Sequence, residues 1–424
     1  MSEGKSTMRD DAKGYGEFRQ GWPVVVAAML GIGLGLSPVP LYTTGALAPH
    51  LAQAFGWGFG QIMAGLTVMT LTVLLAAPVA GMLADRYGVR PVALTSVVLF
   101  GLSFMGFALS NGSLPLYYAT WAVMAVAGAG TLPITWTRAV NNWFETRKGL
   151  ALGVALLGTG LFGFLVKPLT AWLVAEFGWR GTYVAIGALP LILALPVGWF
   201  FFRDKDGGAG ETVAERRARQ AALSAATPGL TFGQTLRDWR FWVLGVAFLL
   251  VSFAVGGSIP NMEKILGQAG FGADDVVWLA SLIGLSVIVG RILGGWLIDR
   301  FWAPAVAFIF LAIPALAYWH LASGGTDTTV TALSIFVIGF AAGLEYDLMA
   351  FLVARYFGIK GYGAIYGALY GFFALGAGFG PVVFGAGFDK SGSYAGPLHV
   401  SAGLLLASAV LLLLLGRYRR FDQA

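Results

Sequence analysis

Five charged side chains stand inside stretches that are otherwise apolar: Arg138, Lys167, Arg291, Glu345 and Asp347. A charge at the centre of a bilayer costs at least ~2.5–3.5 kcal/mol on insertion scales, so such a residue faces a wet cavity or a partner. The formal sum of the five is +1, which a monoanionic substrate would neutralise. Arg291 lies eight residues before Asp299, ~12 Å into its apolar stretch at 1.5 Å per residue. A guanidinium grips a carboxylate through two parallel hydrogen bonds and stays charged throughout. The competing role for Arg291 is a structural ion pair with Glu345 or Asp347, and the two roles can alternate when a substrate carboxylate displaces the internal one. Lys167, just before Pro168, could bind an anion, lose its proton on desolvation, or snorkel to the outer headgroups. Arg138 lies nearer the inner face and either joins the site or caps its helix. Glu345 and Asp347 are two positions apart, ~200° around a helix. They cannot face one cavity equally: one can pair with Arg291 while the other meets a neighbour. Either could carry a proton, or both could serve a structural network. Tyr42, Tyr366, Tyr370 and Trp278 offer ring and hydroxyl surface for a small organic acid, or ordinary packing and interfacial anchoring.

The elements that must position these residues are membrane helices. Hydrophobic residues make up 57% of the 424-residue chain and charged residues 11%, against about a quarter charged in a soluble domain. Mean hydropathy is +0.75. Twelve segments reach the ~20 apolar residues that a bilayer crossing needs. They are 22–47, 59–84, 91–110, 115–138, 149–174 and 181–202, then 240–262, 273–298, 303–322, 328–354, 361–388 and 396–416. The reading is an all-α membrane protein of two pseudo-symmetric six-helix bundles, 22–202 and 240–416. An N-terminal tail (1–21), a polar linker (203–239) and a C-terminal tail (417–424) flank them. The linker has amphipathic character around Glu211–Leu223. The first 20 residues carry no apolar core or small-residue cleavage site, so no signal peptide is expected.

Cation placement sets the orientation. With both termini in the cytoplasm, 21 of the 27 Lys and Arg residues fall inside and three fall outside: Arg180, Lys264 and Lys390. The net charge of +6 therefore belongs to the inner surface and does not mark a nucleic-acid partner, for which no motif is present. There is no cysteine, so disulfides and thiolate chemistry are excluded. His50, His320 and His399 have no metal-ligand spacing, and no phosphate-cradling loop of the G-x-x-x-x-G-K-S/T kind occurs. Neither a cofactor, a metal nor ATP-driven transport is expected, and the chain is not read as an enzyme.

The chain repeats itself. GMLADRYGVR (Gly81–Arg90) returns as GGWLIDRF (Gly294–Phe301), placing Asp85-Arg86 and Asp299-Arg300 214 residues apart. WFETRKGLALGVALLGTGLFGFLVKP (Trp143–Pro168) matches YFGIKGYGAIYGALYGFFALGAGFGP (Tyr356–Pro381) at an offset of 213. Parallel repeats of six helices are the arrangement of major facilitator transporters. The Asp-Arg motif resembles that superfamily's signature between helices 2 and 3. Within the superfamily, WFETRKGLALGVALLGTGLFG, GRILGGWLIDRF (Gly290–Phe301) and ARYFGIKGYGAIYG (Ala354–Gly367) resemble the monocarboxylate-transporter and oxalate/formate-antiporter group.

The resemblance implies alternating access and a substrate-facing arginine on helix 8, which is Arg291 here. It also implies a cytoplasmic latch built from Asp85, Arg86, Arg90, Asp299 and Arg300. Two departures narrow it. Thr120–Gly130 lacks the helix-4 arginine of proton-coupled drug exporters, and Lys167-Pro168 stands where their helix 5 carries Gly-Pro. Helix 11 has no cation beyond Lys360 at its edge, unlike oxalate carriers, so oxalate is not expected unless Lys167 supplies the second charge. The expected function is secondary transport of a small organic anion, a monocarboxylate first, by proton symport or anion exchange. The setting is the inner membrane of a bacterium, and the expected state is a monomer. Export of hydrophobic compounds and a non-transporting sensor are the competing readings.

Overall fold

The computed structural model describes residues 3–144, 148–203, 229–358 and 360–419; the side chains of 3–15, 85, 142, 148 and 149 lie outside that description. Among the described residues the chain is helical and has no β-strand; an isolated antiparallel bridge joins Gly229 and Gly358. The helices that carry the argument are α1 (Glu3–Gly33), α2 (Pro38–Phe55), α3 (Phe59–Tyr87), α4 (Val89–Gly106), α5 (Leu114–Gly128), α6 (Pro133–Trp143), α7 (Lys148–Leu189) and α8 (Leu195–Phe201). In the second half they are α9 (Phe232–Thr235), α10 (Trp239–Ser258), α11 (Met262–Gln268), α12 (Ala273–Arg300), α13 (Ala303–Ala322), α14 (Thr328–Phe357), α15 (Tyr362–Ser391) and α16 (Ala395–Leu414). The amphipathic stretch expected around Glu211–Leu223 falls outside the described residues.

Among the described residues, ten helical runs are long and apolar enough to cross a membrane. One of them, Leu150–Phe201, is 52 residues long, far more than one crossing needs. It turns at Gly178, whose φ of 66° and ψ of 176° only glycine adopts easily, so it supplies the fifth and sixth crossings. The fourth is split into α5 and α6 by a 3-10 turn at Ala129–Thr131. The first is split as well: α1 stops at Gly33 and α2 restarts at Pro38, a residue suited to a helix's first turn. Thr131 holds that break, its hydroxyl accepting from the Leu36 amide (2.9 Å) and donating to the Gly128 carbonyl (2.7 Å). Helix also reaches further than hydropathy suggested. α1 begins inside the polar stretch read as a tail, and segment 7 continues past residue 262 through a 3-10 turn into α11. Large apolar side chains such as Leu75, Leu109, Ile192 and Leu316 point outward, 66–80% exposed, the pattern of a protein whose solvent is hydrocarbon.

Contacts divide the chain into two compact units. The first comprises Met1–Pro40, Leu75–Phe162 and Trp172–Glu211; the second comprises Leu41–Leu74, Gly163–Ala171 and Thr212–Ala424. In the first, Gly31 lies under the Trp136 ring, and Gly101 and Gly187 let α4 and α7 meet backbone to backbone. Phe104, Phe107, Tyr117, Trp121 and Tyr183 form one aromatic cluster there. In the second, small residues bring α12 onto α14. A Cβ on Gly290 would stand 2.2 Å from the Phe340 carbonyl oxygen, and one on Gly343 would stand 2.3 Å from that of Val287. No side chain fits at such distances, so both positions must be glycine for the helices to approach this closely.

Candidate functional site

The α12–α14 contact sets the centre of the site. Gly343 abuts the backbone of Val287 and Arg291, and one turn further along α14 Asp347 comes level with Arg291. The Asp347 Oδ2 atom lies 4.0 Å from Arg291 Nε, and the arginine side chain is only 9% exposed. Two positions before Asp347, Glu345 leaves this face, as the helical angle requires. It is buried and lines a small apolar cavity with Phe248, Phe310, Leu311, Leu344 and Leu348, and its Oε1 has no hydrogen-bond partner. The two acids therefore have different surroundings: Asp347 faces the guanidinium and Glu345 faces hydrocarbon.

Tyrosines surround the Arg291–Asp347 pair. Tyr346 packs near Tyr370 (ring centroids 6.3 Å) and Phe373 (4.8 Å), while Tyr362 stacks on Tyr366 at 5.9 Å. Tyr366 lies within electrostatic range of both Asp347 and Arg291, and Tyr42 within range of Arg291 and Glu345. Tyr42 is buried on α2, its ring filling the space beside Gly163 of α7, where a Cβ would stand 2.7 Å from Tyr42 Cζ. A guanidinium bordered by phenol rings and hydroxyls can hold a carboxylate and the apolar or aromatic body behind it.

Lys167 has a partner that the sequence did not suggest. Its side chain is buried at 1% exposure, so it does not snorkel to the headgroups. Its ammonium donates to Oε1 of Glu263 on α11. Glu263 is the site residue that hydropathy missed, because segment 7 was ended at residue 262. The apolar run Ile259, Met262, Ile265 and Leu266 was the available signal that helix continues. Added to the five charges counted from the sequence, Glu263 brings their formal sum from +1 to zero. Tyr346, between Glu345 and Asp347, carries no separate signal in the sequence.

The remaining candidates have other surroundings. Trp278 is on the same helix as Arg291 but thirteen positions earlier, ~20 Å along the axis, and it is 45% exposed. Arg138 is half-buried on α6, in the first compact unit, whereas Lys167, Arg291 and Asp347 belong to the second. Of the residues expected to form a latch, Arg90 donates to the Trp199 carbonyl (2.6 Å) with its guanidinium 5.7 Å from that ring. Arg86 lies over Tyr87 and Arg300 over Trp296. Asp299 is exposed, and the Asp85 side chain lies outside the described residues.

Comparison with known proteins agrees with this architecture. The model of the Major Facilitator Superfamily matches residues 26–381. The "Uncharacterized 38 kDa protein in 23S RNA operon" of Thermoproteus tenax is 32% identical over 373 residues, covering 87% of this chain and 90% of that protein. Human monocarboxylate transporter 11 is 29% identical over 412 residues (92% and 82%). The gallate transporter of Pseudomonas putida is 26% identical over 394 residues (80% and 83%). With a helical membrane architecture, a buried cation at its heart and a family match across most of its length, the chain belongs to the Major Facilitator Superfamily and is a multi-pass membrane transporter, not an enzyme.

Proposed function

We propose that this transporter moves small organic anions, monocarboxylates foremost, by alternating access coupled to protons. The observation that carries this reading is Arg291, a buried guanidinium facing Asp347 within a ring of tyrosines. The internal carboxylate occupies the arginine when the site is empty, and the substrate carboxylate takes its place. The relatives named for monocarboxylates and gallate support an organic acid as cargo, and gallate fits the aromatic border. The proton travels on an acid of α14. Asp347 is the first choice, because displacement from Arg291 leaves its charge without a partner, and Glu345 is the second.

The same reading assigns two six-helix bundles (22–202 and 240–416) joined by a cytoplasmic linker, both termini cytoplasmic, a bacterial inner membrane and a monomeric carrier. Asp85, Arg86, Arg90, Asp299 and Arg300 latch the cytoplasmic side. The direct test is binding of lactate and gallate to purified protein. Arg291→Ala should weaken binding by ~1.5–3 kcal/mol, roughly 10- to 100-fold, and Arg291→Lys by less. Unchanged affinity in folded Arg291→Ala would overturn the reading.

A further inference from the structure

The Lys167–Glu263 pair is distinct from the Arg291–Asp347 pair. Lys167 stands one helical turn beyond Gly163, the position against which Tyr42 packs, ~6 Å further along α7. Tyr42 in turn lies within electrostatic range of Arg291. Tyr42 thus links the two pairs, and from Gly163 to Lys167 α7 runs toward the side that the cation distribution makes external. Three chain segments converge on it: α2, α7 and α11. A Cβ on Gly45 of α2 would stand 2.1 Å from the Pro260 carbonyl oxygen and 2.6 Å from Glu263 Oε2. Glu263 Oε1 accepts from Lys167, while its Oε2 is buried without a hydrogen-bond partner. A carboxylate with one oxygen so placed is held by its cation and by close packing, not by a full hydrogen-bond set. It can be exchanged for another carboxylate at modest cost, whereas removing it outright strands a buried ammonium.

We propose that Glu263 is a tethered competitor for the transported anion at Lys167. Paired, it pins α11 to α7 and seals the outer side of the site. An organic anion arriving from outside takes over the ammonium, releases Glu263 and then passes inward to Arg291. The pair thus makes opening depend on the charge of the cargo. This rests on the organic-anion reading for the identity of the displacing group, but the pinning itself is measurable without transport.

The chain contains no cysteine, so a single introduced thiol can report on access. Thr44, buried on α2 beside Gly45, is the position. Full-length Thr44→Cys protein in proteoliposomes is treated with a membrane-impermeant maleimide, with and without lactate. Labelling of the parent should be slow and should accelerate when lactate is added. Glu263→Gln should label about tenfold faster or more, the effect of a ~1.4 kcal/mol shift toward the open state, with lactate adding nothing. The exchanged pair Lys167→Glu with Glu263→Lys should return labelling to the slow rate and guards against a folding defect in the single variant. In that protein lactate should still accelerate labelling, because an ammonium remains for it to claim.

Equal labelling rates in the parent, Glu263→Gln and the exchanged pair would overturn the seal. Fast labelling of Glu263→Gln together with a full lactate response in Lys167→Gln would overturn the competition. If the labelling results hold while lactate and gallate fail to bind at Arg291, the organic-anion reading fails at that site and the seal stands.

Discussion

Arg291 and Lys167 are both buried cations, yet they are held in different ways. Arg291 has its carboxylate at 4.0 Å, on the neighbouring helix and partly exposed, at 32% for the Asp347 side chain. Lys167 is in direct contact with a carboxylate that is itself mostly buried. The looser pair leaves the guanidinium room for a second carboxylate, and the tighter one suits a closure. The two acids of α14 make a separate prediction. If Asp347 carries the proton, Asp347→Asn should uncouple a pH gradient from accumulation while sparing exchange of labelled for unlabelled substrate. Glu345→Gln should then leave both intact, since Glu345 faces an apolar cavity and not the guanidinium. Gradient-driven uptake and counterflow in proteoliposomes separate the two cases. Full accumulation in both variants would leave anion exchange as the better mechanism.

At the scale of the element, glycine determines which helices can meet. α12 and α14 touch through Gly290, Gly294, Gly339 and Gly343, and this contact places Asp347 beside Arg291. Gly290→Ala would put a Cβ 2.2 Å from a backbone oxygen, which cannot swing away as a side chain could. Overpacking of this kind costs ~1–3 kcal/mol, so the variant should lose thermal stability and weaken anion binding together. Gly295→Ala, on the same helix with open space around it, should stay within ~1 kcal/mol of the parent. A melting series on the two purified variants checks both; equal losses would show that helix approach is not the cause. A second element-scale device caps α3, where the Asp389 carboxylate accepts from the amides of Phe59 (2.9 Å) and Gly60 (2.7 Å). It satisfies two of the donors that a helix start leaves open and places negative charge at the positive end of the dipole.

At the scale of the molecule, the distribution of cations predicts the topology. Lys390 and Arg417 are both exposed but fall on opposite sides of the proposed orientation. In intact cells an impermeant maleimide should label Lys390→Cys and not Arg417→Cys, and permeabilised cells should label both. The reverse pattern would invert every inside and outside in the mechanism. The compact units raise a separate point. α2 from Leu41, the first half of α3 and Gly163–Ala171 of α7 pack with the second half of the chain, not the first. Lys167 and Tyr42 lie in these segments, in the same unit as Arg291.

The amino-acid sequence by itself determined the class of protein. A bilayer requires long apolar runs with internally satisfied backbones, and those runs, the duplicated Asp-Arg motif and the few charges within them are all local properties. Arg291, Lys167, Glu345 and Asp347 could be singled out for the same reason: a charge in an apolar stretch stands out without knowledge of its neighbours. Pairing was not legible. Whether Arg291 meets Glu345 or Asp347 depends on the rotation of α14 against α12, and contacts such as that of Gly343 with Val287 decide it. Glu263 lies 96 positions from Lys167, beyond the apparent end of an apolar segment, and only the continuation of α11 brings the two together. Hydropathy measures what each stretch of chain shares with lipid. The partner of a buried charge is set by which helices touch, and that was decided by the tertiary structure.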